Sequence, residues 1–450
     1  MSDSTADIGK AAAKAVVEAV QQGRTGQQGQ SPLGFFARAG KQAGLVGAAI
    51  GVVAAGAAAG VAIERMTVGR EIRRKARLAL DAAGPYGTLR GEPGLAIAED
   101  GTALYYETEE IGATSNGDRP KTVGSPVRGS GSGTPLTVIF SHGYCLNQDA
   151  WHFQRAALSG KVRAVYWDQR SHGRSERGHA QRGGAPVTID QLGRDLKAII
   201  DTAAPEGPLV LAGHSMGGMT IMALAAHFPE LVAERVAGVF FAGTSTGKLA
   251  AVSLGLPAVG ARAFRVLAPG LLRTLGSQAN LVERGRRATA DLFAGVIKRY
   301  SFGSDVDPGV ARLAERMIES TPIDVVAEFY PAFLEHEKAE SLAVLDGRPA
   351  LVMAGDKDLL TPSEHSIAIA ELLPACELVV VPDAGHLVML EYPELVNSHL
   401  AGLLVRTADE VGAPLPDALR ELAAEIAEIA KTAEGAEGAE AVEIAEAAEA

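Results

Sequence analysis

The chain has 450 residues, 47% of them hydrophobic, enough to bury a large core and, as a length prior, to form two to three domains. Its net charge of −12 is concentrated at one end: residues 421–450 hold nine Glu against one Lys, which leaves no basic domain for nucleic acid and no strong acidic field elsewhere. Two cysteines, Cys145 and Cys376, exclude a disulfide framework and leave the redox compartment undecided.

In chain order, residues 6–20 read as a short Ala-rich helix and residues 21–32 as a Gly/Gln-rich linker. Residues 43–63 form an uncharged run that, as a helix, spans about 30 Å of hydrocarbon. Nine Ala and five Gly make its insertion energy marginal, and Gly47/Gly51 and Gly56/Gly60 have the spacing that packs helices closely in membrane or in water. Three readings stay open: a membrane helix, a soluble helix packed on itself or on the following domain, and a late signal sequence. If the run spans, Arg65, Arg70, Arg73, Arg74, Lys75 and Arg77 after it outnumber Arg24, Arg38 and Lys41 before it, so the rest of the chain is membrane-anchored on the cytoplasmic side. Without a span the chain is expected to be cytoplasmic.

From Gly94 the pattern turns to strands. Residues 96–106 carry apolar runs around Asp100-Gly101, as a hairpin does. Residues 112–135 are rich in Gly, Ser and Pro and read as a surface insertion with no chemistry of its own. Next comes the segment with the most information, Pro208-Leu-Val-Leu-Ala-Gly213-His214-Ser215-Met216-Gly217, an apolar run passing directly into a helical pattern. It reads as a serine nucleophile on a strand-to-helix elbow, where the turn pushes the hydroxyl out of the sheet to within reach of a base. Gly213 and Gly217 flank it because larger side chains would clash where strand and helix approach. The same five-residue pattern recurs at Gly243-Thr244-Ser245-Thr246-Gly247, but residues 254–257 there interrupt a helix, so Ser215 is the stronger candidate.

Four further segments extend the pattern. Leu136-Thr-Val-Ile-Phe-Ser-His142-Gly143-Tyr144 and Arg163-Ala-Val-Tyr-Trp-Asp168-Gln-Arg170-Ser-His172-Gly-Arg-Ser175 precede the elbow, while Asp358 and then His386 follow it, each after an apolar run. With the elbow these motifs, in this order, resemble the α/β-hydrolase superfamily from about residue 94 to 406. The resemblance implies an α/β fold: a mostly parallel central sheet flanked by helices, with a helical cap inserted before the strand leading to the catalytic acid. It divides the chain into an N-terminal segment (1–84), a first core part (85–243), the cap (244–346), a second core part (347–406) and an acidic Ala/Glu-rich tail (407–450). The apolar pieces of the cap, residues 249–256 and 264–275, suggest a hydrophobic substrate pocket, or else only pack the cap onto the core.

The resemblance also implies roles. Ser215 would be the nucleophile, His386 its base, and Asp358 the acid that orients the imidazole. The backbone N–H groups of Tyr144 and Met216 would form the oxyanion hole. Asp356 and Asp383 compete with Asp358, but only Asp358 stands just before Leu-Leu-Thr-Pro as the family's acid does, and residues 236–249 hold no carboxylate for the alternative placement. His142, His172 and His214 read as packing residues and Cys145 as a small core residue. The expected activity is cofactor-independent and metal-free hydrolysis of a carboxylic ester with a hydrophobic acyl group. Thioesterases, carbon-carbon bond hydrolases and cofactor-free haloperoxidases share near variants of the elbow. A non-catalytic ligand-binding protein of the same fold is the alternative of a different class.

Overall fold

The computed structural model describes residues 86–112, 134–257, 259–263, 266–267, 270 and 290–424. The expected helix at 6–20, the linker, the 43–63 run with its flanking charges, residues 113–133 of the surface insertion, most of 264–289 and the tail from 425 lie outside them. Among the described residues no single helix is long and apolar enough to cross a membrane.

Eight strands form one sheet in the order β1-β2-β4-β3-β5-β6-β7-β8. They are β1 (Glu92–Ile97), β2 (Ala103–Glu109), β3 (Thr137–Ser141), β4 (Arg163–Trp167), β5 (Leu209–His214), β6 (Val236–Ala242), β7 (Ala350–Gly355) and β8 (Glu377–Val381). The β1/β2 and β2/β4 pairs are antiparallel and the rest are parallel. The Asp100-Gly101 hairpin forms, with Gly101 at φ 82°, a left-handed position that suits glycine. β3, β5 and β7 are buried at every residue, which explains why they read as unbroken apolar runs rather than as alternation.

Both faces of the sheet are covered. Val138, Phe140, Val210, Phe240 and Met353 on one face meet α1 (His152–Leu158) and the last helix, Pro393–Val411. Ile139, Leu211, Val239, Phe241 and Val352 on the other meet α2 (Ile189–Ala203) and α3 (Met216–His227). α2 begins at Thr188, whose hydroxyl accepts the Gln191 N–H at 3.1 Å, and it buries Leu192, Leu196, Ile199, Ile200 and Ala203 at helical spacing.

Between β6 and β7 the chain leaves the sheet through α4 (Ala290–Ser301), α5 (Pro308–Ser320) and α6 (Ile323–Leu334). Val325, Phe329 and Ala332 of α6 pack on Met216, Met219 and Ala223 of α3, whereas Val266 and Leu267 are exposed. Among the described residues, the apolar surface of this region that meets α3 comes largely from α6. Two expected boundaries also move. Leu342 and Leu345, inside the expected cap, belong to the sheet's own core. The last helix runs on to Val411, and Ala413 and Leu419 are buried with the core, so chain from 407 to at least 419 is part of the body rather than a solvated tail. Leu415 and Leu422, partly buried, pack against the same cluster.

Candidate active site

Parallel register sets the carboxyl ends of the strands side by side. Ser141 pairs with Gly213, His214 with Ala242, Ala242 with Met353 and Gly355 with Val381. The loops that follow therefore converge at one edge of the sheet, the edge where open α/β sheets bind ligands.

Ser215 stands between β5 and α3 with φ 51° and ψ −116°. That backbone is strained for a residue with a side chain and persists only where its surroundings hold it. Ser215 N donates to Ala242 O at 2.9 Å, and Ser215 O accepts from Thr244 Oγ1 at 2.7 Å and from Gly218 N at 2.9 Å. The flanking glycines are steric requirements. A Cβ on Gly213 would lie 2.6 Å from the Gly217 carbonyl, and one on Gly217 would lie 2.1 Å from Ser141 O.

Asp358 and His386 meet from two separate loops, 28 positions apart. His386 Nδ1 lies 2.7 Å from Asp358 Oδ2, and both residues are buried. A carboxylate only accepts, so Nδ1 carries the hydrogen and Nε2 keeps its lone pair. No hydrogen-bond partner holds Nε2 among the described residues. Asp358 Oδ1 accepts from Leu360 N at 2.8 Å and Thr361 N at 2.9 Å, while Thr361 Oγ1 lies 2.8 Å from Oδ2. The competing carboxylates face elsewhere: Asp356 lies 3.4 Å from Lys357, and Asp383 lies 3.8 Å from Lys357 with an exposed side chain. His214 Nε2 donates to His386 O at 2.9 Å, and the two rings lie 4.7 Å apart.

Beside Ser215 runs the Gly143 turn. A Cβ on Gly143 would lie 3.2 Å from Ser215 Cβ and 2.5 Å from His214 Nδ1. His142 Nε2 accepts the Gln169 N–H at 2.9 Å, so its Nδ1 is the protonated nitrogen and donates to Gly143 O at 2.7 Å. Leu146 N donates to the same oxygen at 3.2 Å. A trans peptide points its carbonyl and the following N–H in opposite directions, so the Tyr144 N–H is turned away from these partners. Among the described residues neither the Tyr144 N–H nor the Met216 N–H donates to a backbone acceptor. The Met216 N–H is one of the donors that the start of a helix leaves without an intrahelical partner.

Burial keeps the neighbouring histidines neutral. It pushes His142 down to about 3 and His172 down to about 4, and holds His214 well below the usual imidazole range. Burial also pushes the Cys145 thiol up to about 12, which removes any thiolate at neutral pH. Ser245 is fully buried, with its hydroxyl 2.7 Å from Gly247 O and 2.8 Å from His365 Nδ1. Among the described residues no group of three or more His, Cys, Asp or Glu side chains could hold a metal ion.

Several neighbours of the site were not singled out from sequence. The Tyr144 ring lies 4.9 Å from that of Phe333 and 6.1 Å from that of Phe329, and Tyr144 Oη donates to Val326 O at 2.5 Å. Arg177 pairs with Asp324 and, at 2.8 Å, with Glu328, tying the loop after β4 to α6. Nothing local marks these residues, because α6 is an ordinary apolar helix until it is docked. Thr361 did carry a signal, its place in Asp-Leu-Leu-Thr-Pro, which served only as a landmark for Asp358.

Comparison with known proteins gives a consistent result. A family model described as alpha/beta hydrolase fold matches residues 137–393. The chain is 27% identical over 277 residues to the dihydrolipoyllysine-residue acetyltransferase component of the acetoin cleaving system of Pseudomonas putida, covering 61% of this chain and 65% of that protein, just under two thirds of its length. It is 28% identical over 273 residues to 2-(acetamidomethylene)succinate hydrolase of Mesorhizobium japonicum, covering 60% of this chain and 87% of that one. Among solved structures it resembles a thermophilic esterase from Thermogutta terrifontis at 24% identity and a TM-score of 0.51, covering 70% of this chain and 99% of that one, a likeness of fold alone. With the matched region covering more than half the chain, from β3 to the start of the last helix, this protein belongs to the alpha/beta hydrolase fold family of enzymes.

Proposed function

We propose that the protein is a serine hydrolase that cleaves carboxylic esters of hydrophobic acyl groups through an acyl-enzyme. The observation that carries this reading is the 2.7 Å hydrogen bond between Asp358 and His386, at the edge of the sheet where the strained Ser215 elbow also lies. Ser215 Oγ attacks the ester carbonyl and its proton passes to His386 Nε2. Asp358 holds the tautomer and stabilises the imidazolium, while the Tyr144 and Met216 N–H groups receive the oxyanion. Collapse of the tetrahedral intermediate expels the alcohol, which takes its proton from His386. Water, deprotonated by His386, then attacks the acyl-enzyme and releases the acid. Met219, Phe329 and Phe333, packed around Tyr144 and Met216, support an apolar acyl partner.

The test is hydrolysis of p-nitrophenyl esters of increasing acyl length by the full chain, with fluorophosphonate labelling alongside. Ser215→Ala is expected to lower the rate by about 10⁵-fold or more and to abolish labelling. A wild type that cleaves no ester and takes no label would remove the ester reading and favour carbon-carbon hydrolysis or ligand binding.

A further inference from the structure

We propose that Thr361 is a positioning residue of the same site, whose hydroxyl donates to Asp358 Oδ2 and sets where that carboxylate meets His386; the inference rests on the Ser215–His386–Asp358 reading above.

Thr361 is 3% exposed and stands where three loops meet. Its Oγ1 lies 2.8 Å from Asp358 Oδ2, 2.8 Å from Gly243 O and 3.3 Å from His386 Nδ1. One hydroxyl has one hydrogen, so it can donate to only one of the two oxygens. Donation to the ionised carboxylate is the stronger choice, because charge-assisted hydrogen bonds are about twice as strong as neutral ones. It also avoids setting a hydroxyl lone pair against a full negative charge at 2.8 Å. The hydroxyl lone pairs then face Gly243 O and the Nδ1 hydrogen.

The consequence is a carboxylate with a full set of donors. Oδ1 takes the Leu360 and Thr361 N–H groups, and Oδ2 takes His386 Nδ1–H and the Thr361 hydroxyl. With both oxygens held, the carboxylate cannot rotate away as His386 moves between neutral and protonated forms. The same hydroxyl tempers the charge that Oδ2 presents to the imidazole. His365, in the helix that follows this loop, meets Ser245 Oγ with its Nδ1 at 2.8 Å. Space beside Oδ2 is limited on the other side too, since a Cβ on Gly243 would lie 3.4 Å from it.

The experiment compares full-chain wild type, Thr361→Val and Thr361→Ser in ester hydrolysis across pH. Valine keeps the shape and removes the hydroxyl. The other titratable groups around His386 are the same in all three proteins: Asp358, His214 against its ring, His365 beside the acid loop, and Glu391, whose Oε2 accepts the Gly385 N–H at 2.7 Å. In the valine variant kcat is expected to fall about tenfold or more with KM little changed. The acid limb of kcat/KM is expected to move to higher pH by about half a unit, because Oδ2 then presents more charge to the imidazolium. Serine restores both. Thr361→Ala takes the place of valine if valine does not fold. An unchanged kcat and pH profile, a loss of activity that tracks only the loss of folded protein, or a folded serine variant as slow as valine would each overturn the inference. If wild type is inactive on every ester and takes no fluorophosphonate, the parent reading falls and this one with it; an active wild type with an unaltered valine variant sinks this inference alone.

Discussion

The chain carries the same five-residue pattern twice, and the two copies fold in opposite ways. At residues 213–217 the positive φ falls on the serine itself, 51°, and a helix begins at the next residue. At residues 243–247 the positive φ values fall on the glycines, 50° and 155°, and only a short 3-10 turn at Leu249–Ala251 follows. Ser245 turns inward, and its hydroxyl is taken up by Gly247 O and His365. In the first copy strand and helix together put the strain on the serine itself. Where glycines absorb the turn, the serine becomes an internal tie.

Alanine at matching glycines should break this symmetry most visibly. In Gly217→Ala the new Cβ lies 2.1 Å from Ser141 O, backbone at the end of a central strand that cannot yield. We expect several kcal/mol of destabilisation, about 3 or more, or no folded protein. In Gly247→Ala the nearest atom, at 2.2 Å, is Oε2 of Glu337, the far end of a flexible side chain. Its cost is expected to be the backbone strain, about 1–2 kcal/mol, with activity kept. Denaturant unfolding and kcat/KM on both variants check this, and equal losses would contradict the contrast.

Acid should act next. A histidine whose folded pKa is depressed contributes stability that is fully present above its unfolded value of about 6.5 and is lost as pH falls toward the folded value. Around the elbow these are His142 at about 3, His172 at about 4 and His214 well below normal; beside Ser245, His336 and His365 are lowered as well, and His152 sits at about 4. Asp168 and Asp195, raised by burial to about 6, work the other way and regain stability as they are protonated, but the histidines outnumber them. The melting temperature is therefore expected to fall between pH 6.5 and 5, by on the order of 10 °C. A flat profile over that range would show that the elbow does not depend on neutral imidazoles.

The smallest effect is reserved for Ser245→Ala. It should cost about 1–2 kcal/mol, from the bonds lost to His365 and Gly247, and leave kcat within about twofold. A loss of activity comparable to Ser215→Ala would reverse the assignment of the two loops.

Much of the fold was legible because its signals are local. Apolar runs with glycine punctuation marked β3, β5, β6 and β7, Asp100-Gly101 marked the hairpin, and the absence of a breaker after Gly218 marked α3. The candidate residues were named in the same way, each at the end of such a run. What stayed hidden joins distant parts of the chain: Tyr144 to Val326 across 182 positions, Gln154 to Met389 across 235, and Leu419 in a core whose other members begin at Leu136.

By itself, then, the sequence determined which segments become strands, where a serine is forced onto a turn, and the order of the chemical groups along the chain, because steric and periodic constraints act over a few residues. Only the tertiary structure brought Asp358 and His386 within 2.7 Å of each other, sealed Ser245 inside, set Phe329 and Phe333 of α6 against Tyr144, and put the Thr361 hydroxyl 2.8 Å from the carboxylate. Those outcomes depend on how parallel strands align their carboxyl ends and how helices dock above them, and the free energy of such contacts belongs to pairs of surfaces that no single segment contains.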